Sequence, residues 1–496
     1  MGSYITFPEL LIWLPLLAGI LCFFTKKEQA AKTLSLIFSL IVLIVSVTAL
    51  FYTDSKYATW NAANYYYANN IGSTFFVGLD GTGRLLTLLT ALAFPMIFIA
   101  TYRSSYKNPS SYYGLMLLAQ AGLMGVFCSM DALMFYFFWE LALIPVYFLC
   151  SKWGGEKRIQ TTFKFFVYTF LGSLLMLIGI IYVYLHTPGR LFEDGTQVLH
   201  SFALSAFQNA QLTEGEQNWL FWLFFIAFAV KMPVFPFHTW QPDTYDQSPT
   251  SVTMVLSAVM VKMGLFGIIR WLIPIFPEAV SKFSDVVIIL SVTGIIYASF
   301  IAMVQDNIKK LVAYSSIAHI GLMCAALFAA NAISVQGVMM QMFNHGINII
   351  GMWIVADLLE KQTGVKEISK LSGVANKAPV LTILFVIIAL ANIALPLTNA
   401  FTGEFLMFSG LYNFNVWYAV FAGIGIILAA VYTLNMVQKV FYGNSNSVAE
   451  SVKDISWNEK FILGAIVCLI FIIGVYPQPL IDLTKDAVSV LMMKMK

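Results

Sequence analysis

Six ionisable residues stand in stretches where almost everything else is hydrocarbon-like. Lys231 lies in FAVKMPVFPFHTWQPD, Glu140 in DALMFYFFWELALIPVYFL and Lys262 in SVTMVLSAVMVKMGLFGIIR. His319 lies in AYSSIAHIG, His345 in QMFNHGIN and Glu404 in LANIALPLTNAFTGEFLMFSG. Ionisable side chains in apolar spans are rare, face a protein interior or a hydrated cavity, and mark ion or proton pathways. The simplest use of such a series at intermediate depth is to pass protons sideways from group to group. Each residue also has a plainer explanation. The Lys231 ammonium, near a helix end, could snorkel to the interface. Glu140 and Lys231 could be a structural ion pair, the histidines hydrogen-bonded core residues, and Glu404 a carboxyl that never ionises. Lys262, twelve residues into its run, is the one least able to reach solvent, whereas Lys164, at the start of another run, is close enough to an interface for either role.

The neighbours of these residues strengthen the first reading. Proline has no N–H, so Pro233 and Pro236 are expected to leave the carbonyls of Ala229 and Met232 unpaired beside Lys231. Pro145 does the same for Leu141 beside Glu140. Such carbonyls at membrane depth need a protein or water partner, which implies a protein-lined or hydrated cavity. Glu140, a lone acid in its run, is expected to pair with Lys231. Ser315 and Ser316 stand one turn before His319, and Gln341 one turn before His345, on the histidines' own helix faces. Thr398, Asn399 and Thr402 fill the stretch between Pro396 and Glu404.

The elements that must position these groups follow from composition. Of the 496 residues, 59% are apolar and 11% charged, against about 25% charged in an ordinary soluble protein. A chain so poor in charge has the membrane as its solvent. The net charge of +3 is small and no basic block suggests nucleic acid. Cys22, Cys128, Cys150, Cys324 and Cys468 lie far apart, so neither a metal site nor a disulfide framework is expected, and they read as packing residues. The first apolar stretch lacks a basic leader and a cleavage site and reads as a first span, not a removable signal. There is no GxGxxG, GxxxxGK[ST] or CxxC motif, so no ATP, flavin or iron–sulfur site is expected and the energy for pumping must come from an ion gradient or a partner.

Apolar runs of about 18 residues or more give fourteen spans, near 4–24, 33–53, 83–102, 112–129, 132–151, 161–186, 217–236, 251–273, 284–304, 311–329, 333–359, 379–412, 416–442 and 459–476. All are expected to be helical, because backbone groups in lipid must pair within their own segment. With Arg84, Arg270, Lys439 and Lys460, near span ends, counted with the adjoining loops, odd-numbered loops hold seventeen Lys/Arg, even-numbered loops and both tails eight, and three lysines (164, 231 and 262) lie within spans, which accounts for all 28. The positive-inside rule then puts both termini on the side away from the cytoplasm. Span 7 is interrupted by Pro233 and Pro236, and span 12 by Pro396. Each is the fourth helix of a group of five, and five is odd. The expected organisation is spans 1–3 (residues 1–111), a first repeat (112–273), an inverted second repeat (284–442), and a linker with span 14 (443–496). Broken helices at matching places in inverted repeats point to an ion or substrate site.

WELALIPVYFL, AVKMPVFPFHTWQPD, VKMGLFGIIR, KKLVAYSSIAHIG, NHGIN and LPLTNAFTGEF occur in this order. Together they resemble the antiporter-like subunits of proton-pumping NADH:quinone oxidoreductase, respiratory complex I, over nearly the whole chain. Glu404 in the broken twelfth helix, together with FPEL and VYPQPL, makes subunit M the most similar branch. The resemblance implies that Glu140 and Lys231 form the ion pair of a first half-channel. It also implies that Lys262 is a central relay, that His319 and His345 bridge the halves, and that Glu404 is the terminal site of the second. It implies FMN, iron–sulfur clusters and quinone in partner subunits, with L-type and N-type antiporter-like subunits and lipids as neighbours. Two positions depart from the pattern: Leu397 stands where the family usually has glycine, and Tyr245 where many members have histidine. Three alternatives stay open: the D-type subunit of a multisubunit sodium/proton antiporter, a membrane subunit of a related hydrogenase, and a scaffold whose charges only fix helix packing.

Overall fold

The computed structural model describes residues 5–52, 62–68, 71–191 and 197–495. Residues 53–61, with Lys56, and Lys496 lie outside the described residues, so the expectations for these parts of the outer loop and the tail are not taken further. The chain begins with α1 (Phe7–Phe23) and α2 (Glu28–Phe51), then a hairpin of β1 (Ala62–Ala68) and β2 (Ser73–Gly78). Helices α3 (Gly81–Ala100), α4 (Pro109–Cys128), α5 (Ala132–Trp153) and α6 (Arg158–Leu185) follow. A small antiparallel pair, β3 (Arg190–Leu191) with β4 (Gln197–Val198), and the short α7 (Leu204–Gln208) lead to α8 (Glu214–Lys231). The all-α expectation therefore holds for the spans, with two small hairpins in the long loops between them.

Span 8 is not one regular helix. After α9 (Gln241–Gln247) it runs as α10 (Thr250–Val255), a π-helical turn at Leu256–Met260, α11 (Lys262–Gly267) and a second π-helical turn at Ile268–Leu272. Then come α12 (Pro277–Val304), α13 (Ile308–Phe328) and α14 (Ala332–Thr363). Span 12 is split into α15 (Pro379–Asn392) and α16 (Asn399–Phe414). The chain ends with α17 (Val416–Phe441), α18 (Trp457–Val475) and α19 (Gln478–Lys494). Among the described residues eleven segments are long and apolar enough to cross a membrane. With α1, α8 and the α15/α16 pair they make up the fourteen expected spans. The apolar-run reading does not include α19, whose composition is mixed.

Short polar residues start the enclosed helices. Asp80, Asp131, Asn307, Asn331 and Asn415 each accept a hydrogen bond from the first turn that follows, which pairs donors that would otherwise be orphaned. The segments differ sharply in how much protein surrounds them. The most apolar windows of Thr250–Leu272 and α14 are 100% buried and that of α13 94%, whereas α2 and α18 are 28% buried. Three helices thus sit in the middle of the bundle, and they carry Lys262, His319 and His345. Close approach is needed there. A Cβ on Gly264 would lie 2.6 Å from the carbonyl of Phe228, and one on Gly403 2.8 Å from the Gln341 side chain. Small residues at such crossings let backbones come together.

Candidate functional site

At the first break α8 stops at Lys231, and the chain turns through Pro233, a cis Phe235–Pro236 peptide and His238 before α9 begins. Of the two carbonyls the prolines were expected to leave open, Ala229 and Met232, the first is paired, and so is that of Val230 beside Lys231. Val234 N–H reaches the carbonyl of Ala229 at 3.0 Å, and the Trp240 indole N–H donates to Val230 at 2.9 Å. Protein groups, not a hydrated gap, pair these two positions, because a wider turn and an indole lie within reach. Lys231 is 2% exposed, too little for a snorkelling ammonium. The ion pair expected with Glu140 is open. Neither the Lys231 Nζ nor the Glu140 Oε1 has a hydrogen-bond partner, and Nζ lies 5.5 Å from the centre of the Trp139 ring, within range of a cation–π contact. Glu140 is the next residue along α5. Lys164 takes the plainer role, with hydrogen bonds to the carbonyl of Thr239 (2.7 Å) and to Asp243 (3.2 Å).

At the centre, four of the predicted groups do come together. The π-helical turn before Lys262 shifts the backbone bonding so that Val261 N–H reaches Leu256, and the Lys262 Nζ donates to the carbonyl of Ser257 at 2.8 Å. Irregular turns of this kind inside α-helices often mark functional sites. The same Nζ is 2.8 Å from the His345 Nδ1. The rings of His345 and His319 are 5.7 Å apart, tilted by 57°. On the far side the His319 Nδ1 is 3.1 Å from Glu404 Oε1, which also accepts from Gln341 Nε2 at 3.1 Å. Exposures are 0% for Lys262, 2% for His345, 7% for His319 and 4% for Glu404. The row is enclosed throughout.

Hydrogen-bond roles along this row are constrained. With Lys262 as an ammonium, which can only donate, His345 Nδ1 accepts and its proton sits on Nε2. A carboxylate can only accept, so His319 donates from Nδ1 and its Nε2 is free to accept. Both Nε2 atoms lack a partner. The donors therefore point the same way, from Lys262 toward Glu404.

The second break is held by asparagines. Asn399 and Asn348 exchange side-chain hydrogen bonds at 3.0 Å each, and Asn344 donates to the carbonyl of Asn399 at 2.7 Å. The loop between α15 and α16 includes two left-handed residues, Ala394 (φ 56°) and Leu397 (φ 72°). Left-handed backbone disfavours a side chain, which explains why a glycine would suit position 397. Sequence reasoning singled out Gln341 and Asn399 but missed Asn344 and Asn348 as the clamp on the break. The i, i+4 spacing in NHGIN was the available signal. It also missed Trp139, Asn392 and Tyr432. Ser315 does not serve His319 directly but accepts from Asn392 (3.2 Å) and Tyr432 (3.0 Å).

No cluster of metal-ligating side chains occurs among the described residues. Residues 129–429 match the family described as NADH:quinone oxidoreductase/Mrp antiporter, TM. The chain is 35% identical over 492 residues to NADH-quinone oxidoreductase subunit M of Rickettsia prowazekii (strain Madrid E), covering 97% of this chain and 98% of that protein. A chain of the solved respiratory complex I from Thermus thermophilus with bound NADH matches with a TM-score of 0.89 at 27% identity, covering 98% of this chain and 99% of that one. A chain of the Mrp complex from Dietzia sp. DQ12-45-1b has the same fold, with a TM-score of 0.85 at 17% identity over 98% and 97% of the two chains.

Proposed function

Since the chain belongs to the family of NADH-quinone oxidoreductase subunit M, we propose that it moves protons through the row Lys262, His345, His319 and Glu404, with Lys231 and Glu140 controlling the supply. It is a membrane-arm subunit of a proton-translocating NADH:quinone oxidoreductase and has no redox centre of its own. The observation that carries the reading is the enclosed row from Lys262 to Glu404, in which hydrogen bonds at 2.8 and 3.1 Å flank a gap between two histidines with unpartnered nitrogens. One water between the two Nε2 atoms would complete the row, since a bridging water holds two polar groups nearly as well as a direct hydrogen bond.

The open pair of Glu140 and Lys231 supplies the control. When the carboxylate swings to the lysine, the ammonium is stabilised and keeps its proton; when it swings away, an amine buried without a counter-ion gives its proton up. The geometry with Nζ over Trp139 is the second of these arrangements. Released charge passes to Lys262, then by His345 and His319 to Glu404. Each proton moved against 100 mV requires about 2.3 kcal/mol, which must be delivered by quinone reduction elsewhere in the complex. We read spans 4–8 and 9–13 as inverted repeats, supported by the breaks at 232–240 and 393–398. Further parts of this reading are that FMN, iron–sulfur clusters and quinone reside in partner subunits, that the neighbours are L-type and N-type subunits and lipids, and that both termini are periplasmic in a bacterial inner membrane.

The direct test is Lys231→Ala in the assembled complex. Proton pumping per electron should fall sharply while the amount of complex is unchanged. Undiminished pumping would remove Lys231 from the path.

A further inference from the structure

The odd-numbered loops, which form the lysine-rich face, enclose a vestibule of about 600 Å³. Ser248, Thr250 and Met254 line it from one side, and Ile354, Asp357 and Glu360 of α14 from another. Met254 is eight residues from Lys262, and Ile354 is nine from His345. About 12 Å of helix, at about 1.5 Å per residue, therefore separates the vestibule from the contact between Lys262 and His345. The two helices close on each other in this interval, since a Cβ on Gly346 would lie 3.1 Å from the carbonyl of Ala258.

A layer of aromatic rings stands at the inner end of the vestibule. Phe165 on α6, Trp240 and Tyr245 at α9, and Trp353 on α14 follow one another with ring centres 4.9, 6.3 and 5.8 Å apart. Tyr245 and Trp353 are 0% exposed, and each adjoins a residue of the vestibule wall, Asp246 and Ile354. The layer is fixed at two points. The Tyr245 carbonyl accepts from the Thr253 hydroxyl at 3.2 Å, and the Trp240 indole holds the carbonyl of Val230 next to Lys231. The Tyr245 hydroxyl, the Gln241 side-chain amide and the Trp353 Nε1 have no hydrogen-bond partner in the protein, so these side chains form no hydrogen-bonded chain leading inward. A phenol releases its proton only near about pH 10, so Tyr245 does not exchange protons by titrating at neutral pH.

We propose that this layer, with Tyr245 at its centre, is a plug that keeps Lys262 from exchanging protons directly with the lysine-rich face. Lys262 is then loaded by way of Lys231, and supply to the row stays under the control of Glu140 and Lys231. Without such a barrier, water from the vestibule would protonate Lys262 whatever the position of Glu140, and the row would conduct without being driven. This rests on Lys262 being the first group of the row.

Two substitutions separate the ring from the hydroxyl. In the assembled complex in vesicles, Tyr245→Ala opens the layer. A pH gradient imposed with the lysine-rich side acidic should then decay several-fold faster at rest, and adding Lys262→Met should abolish the extra decay. Tyr245→Phe keeps the ring, and should pump normally and hold the gradient. Trp353→Leu opens the neighbouring position and is read in the same way if Tyr245→Ala does not assemble. Unchanged decay in the opened variant overturns the plug. So does a leak that persists with Lys262→Met, because it runs around the row. Lost pumping in Tyr245→Phe also overturns it, because the hydroxyl, with water held among these polar atoms, then passes protons. Lys262→Met alone separates the two readings. If it pumps normally, the row fails; if it does not pump while Tyr245→Ala holds the gradient, only the plug fails.

Discussion

Lys231 lies over the Trp139 ring without a hydrogen-bond partner, and Glu140 is the next residue along α5. With Nζ over the ring, the lysine holds only a cation–π contact of about 0.5–2 kcal/mol. Glu140→Gln removes the carboxylate and should reduce pumping more than Glu156→Gln in the adjoining loop; equal effects would count against the pair. Further along, Lys262→Met leaves His345 Nδ1 without its donor. Pumping should stop with assembly retained, and a variant that still pumps would exclude Lys262 from the row. The tyrosine at 245 is buried, and its hydroxyl has no partner. The sequence marked this position as a lost histidine, and its neighbour in space is Trp353, 5.8 Å between ring centres.

At the scale of elements, the two breaks are built differently. The first is closed by backbone and indole donors around Ala229 and Val230, the second by three asparagines. Asn348→Leu should leave the Asn399 side chain unpaired in a buried site, at a loss of about 1–3 kcal/mol, read as a lower thermal midpoint and weaker pumping together. Leu397 offers the opposite change. A left-handed conformation costs an L-residue about 1–2 kcal/mol, and glycine gives back about 0.5–1 kcal/mol in chain entropy. Leu397→Gly should therefore leave the thermal midpoint equal or slightly higher. A clear fall would show that the leucine side chain contributes more than its backbone loses. Both breaks were visible as prolines; Trp240, at the first, is only ten residues from its acceptor, whereas the partners at the second come from α14, remote in sequence.

For the whole molecule, the lysine-rich face is stitched by ion pairs between loops. Asp246 on α9 accepts from Asn307 (3.0 Å) and Lys366 (3.2 Å), and Lys309 is paired with Glu360. Burial alone would raise the Asp246 carboxyl, but the Asn307 hydrogen bond and the Lys366 charge outweigh it and hold it below its usual 3.8. Burial alone would lower Lys366, but Asp246 and Glu360 outweigh it and raise it above 10.5. The depressed acid stabilises the contact above its ordinary value and loses this as pH falls through its folded value. The raised base stabilises below its ordinary value and loses this as pH rises through its folded value. Protection of the amides in residues 365–378, corrected for the intrinsic pH dependence of exchange, should thus be flat between about pH 5 and 9 and should fall in acid below about pH 4. In Lys366→Met the acid edge should move upward; an unchanged edge would separate the pair from the stability of this face. Cysteines placed in the loops and labelled by an impermeant reagent test the sidedness, with the lysine-rich loops expected to react only from the cytoplasm.

The sequence by itself determined the solvent, the number of spans, the two broken helices and the identity of the six ionisable groups within the spans. It could do so because an apolar run of membrane length and a charge within it are local facts. Four of the cysteines are buried as expected, while Cys468 is exposed on α18, since an apolar run does not say which side faces lipid. Tertiary structure decided the rest. It left the Glu140–Lys231 pair open and placed the lysine over Trp139. It joined Lys262 to His345 and His319 to Glu404, because three enclosed helices cross at their polar positions and a π-helical turn redirects Lys262. It also set Tyr245 between Trp240 and Trp353. Contacts between residues more than 80 positions apart, such as Lys262 with His345, depend on how helices cross, and no local pattern encodes that.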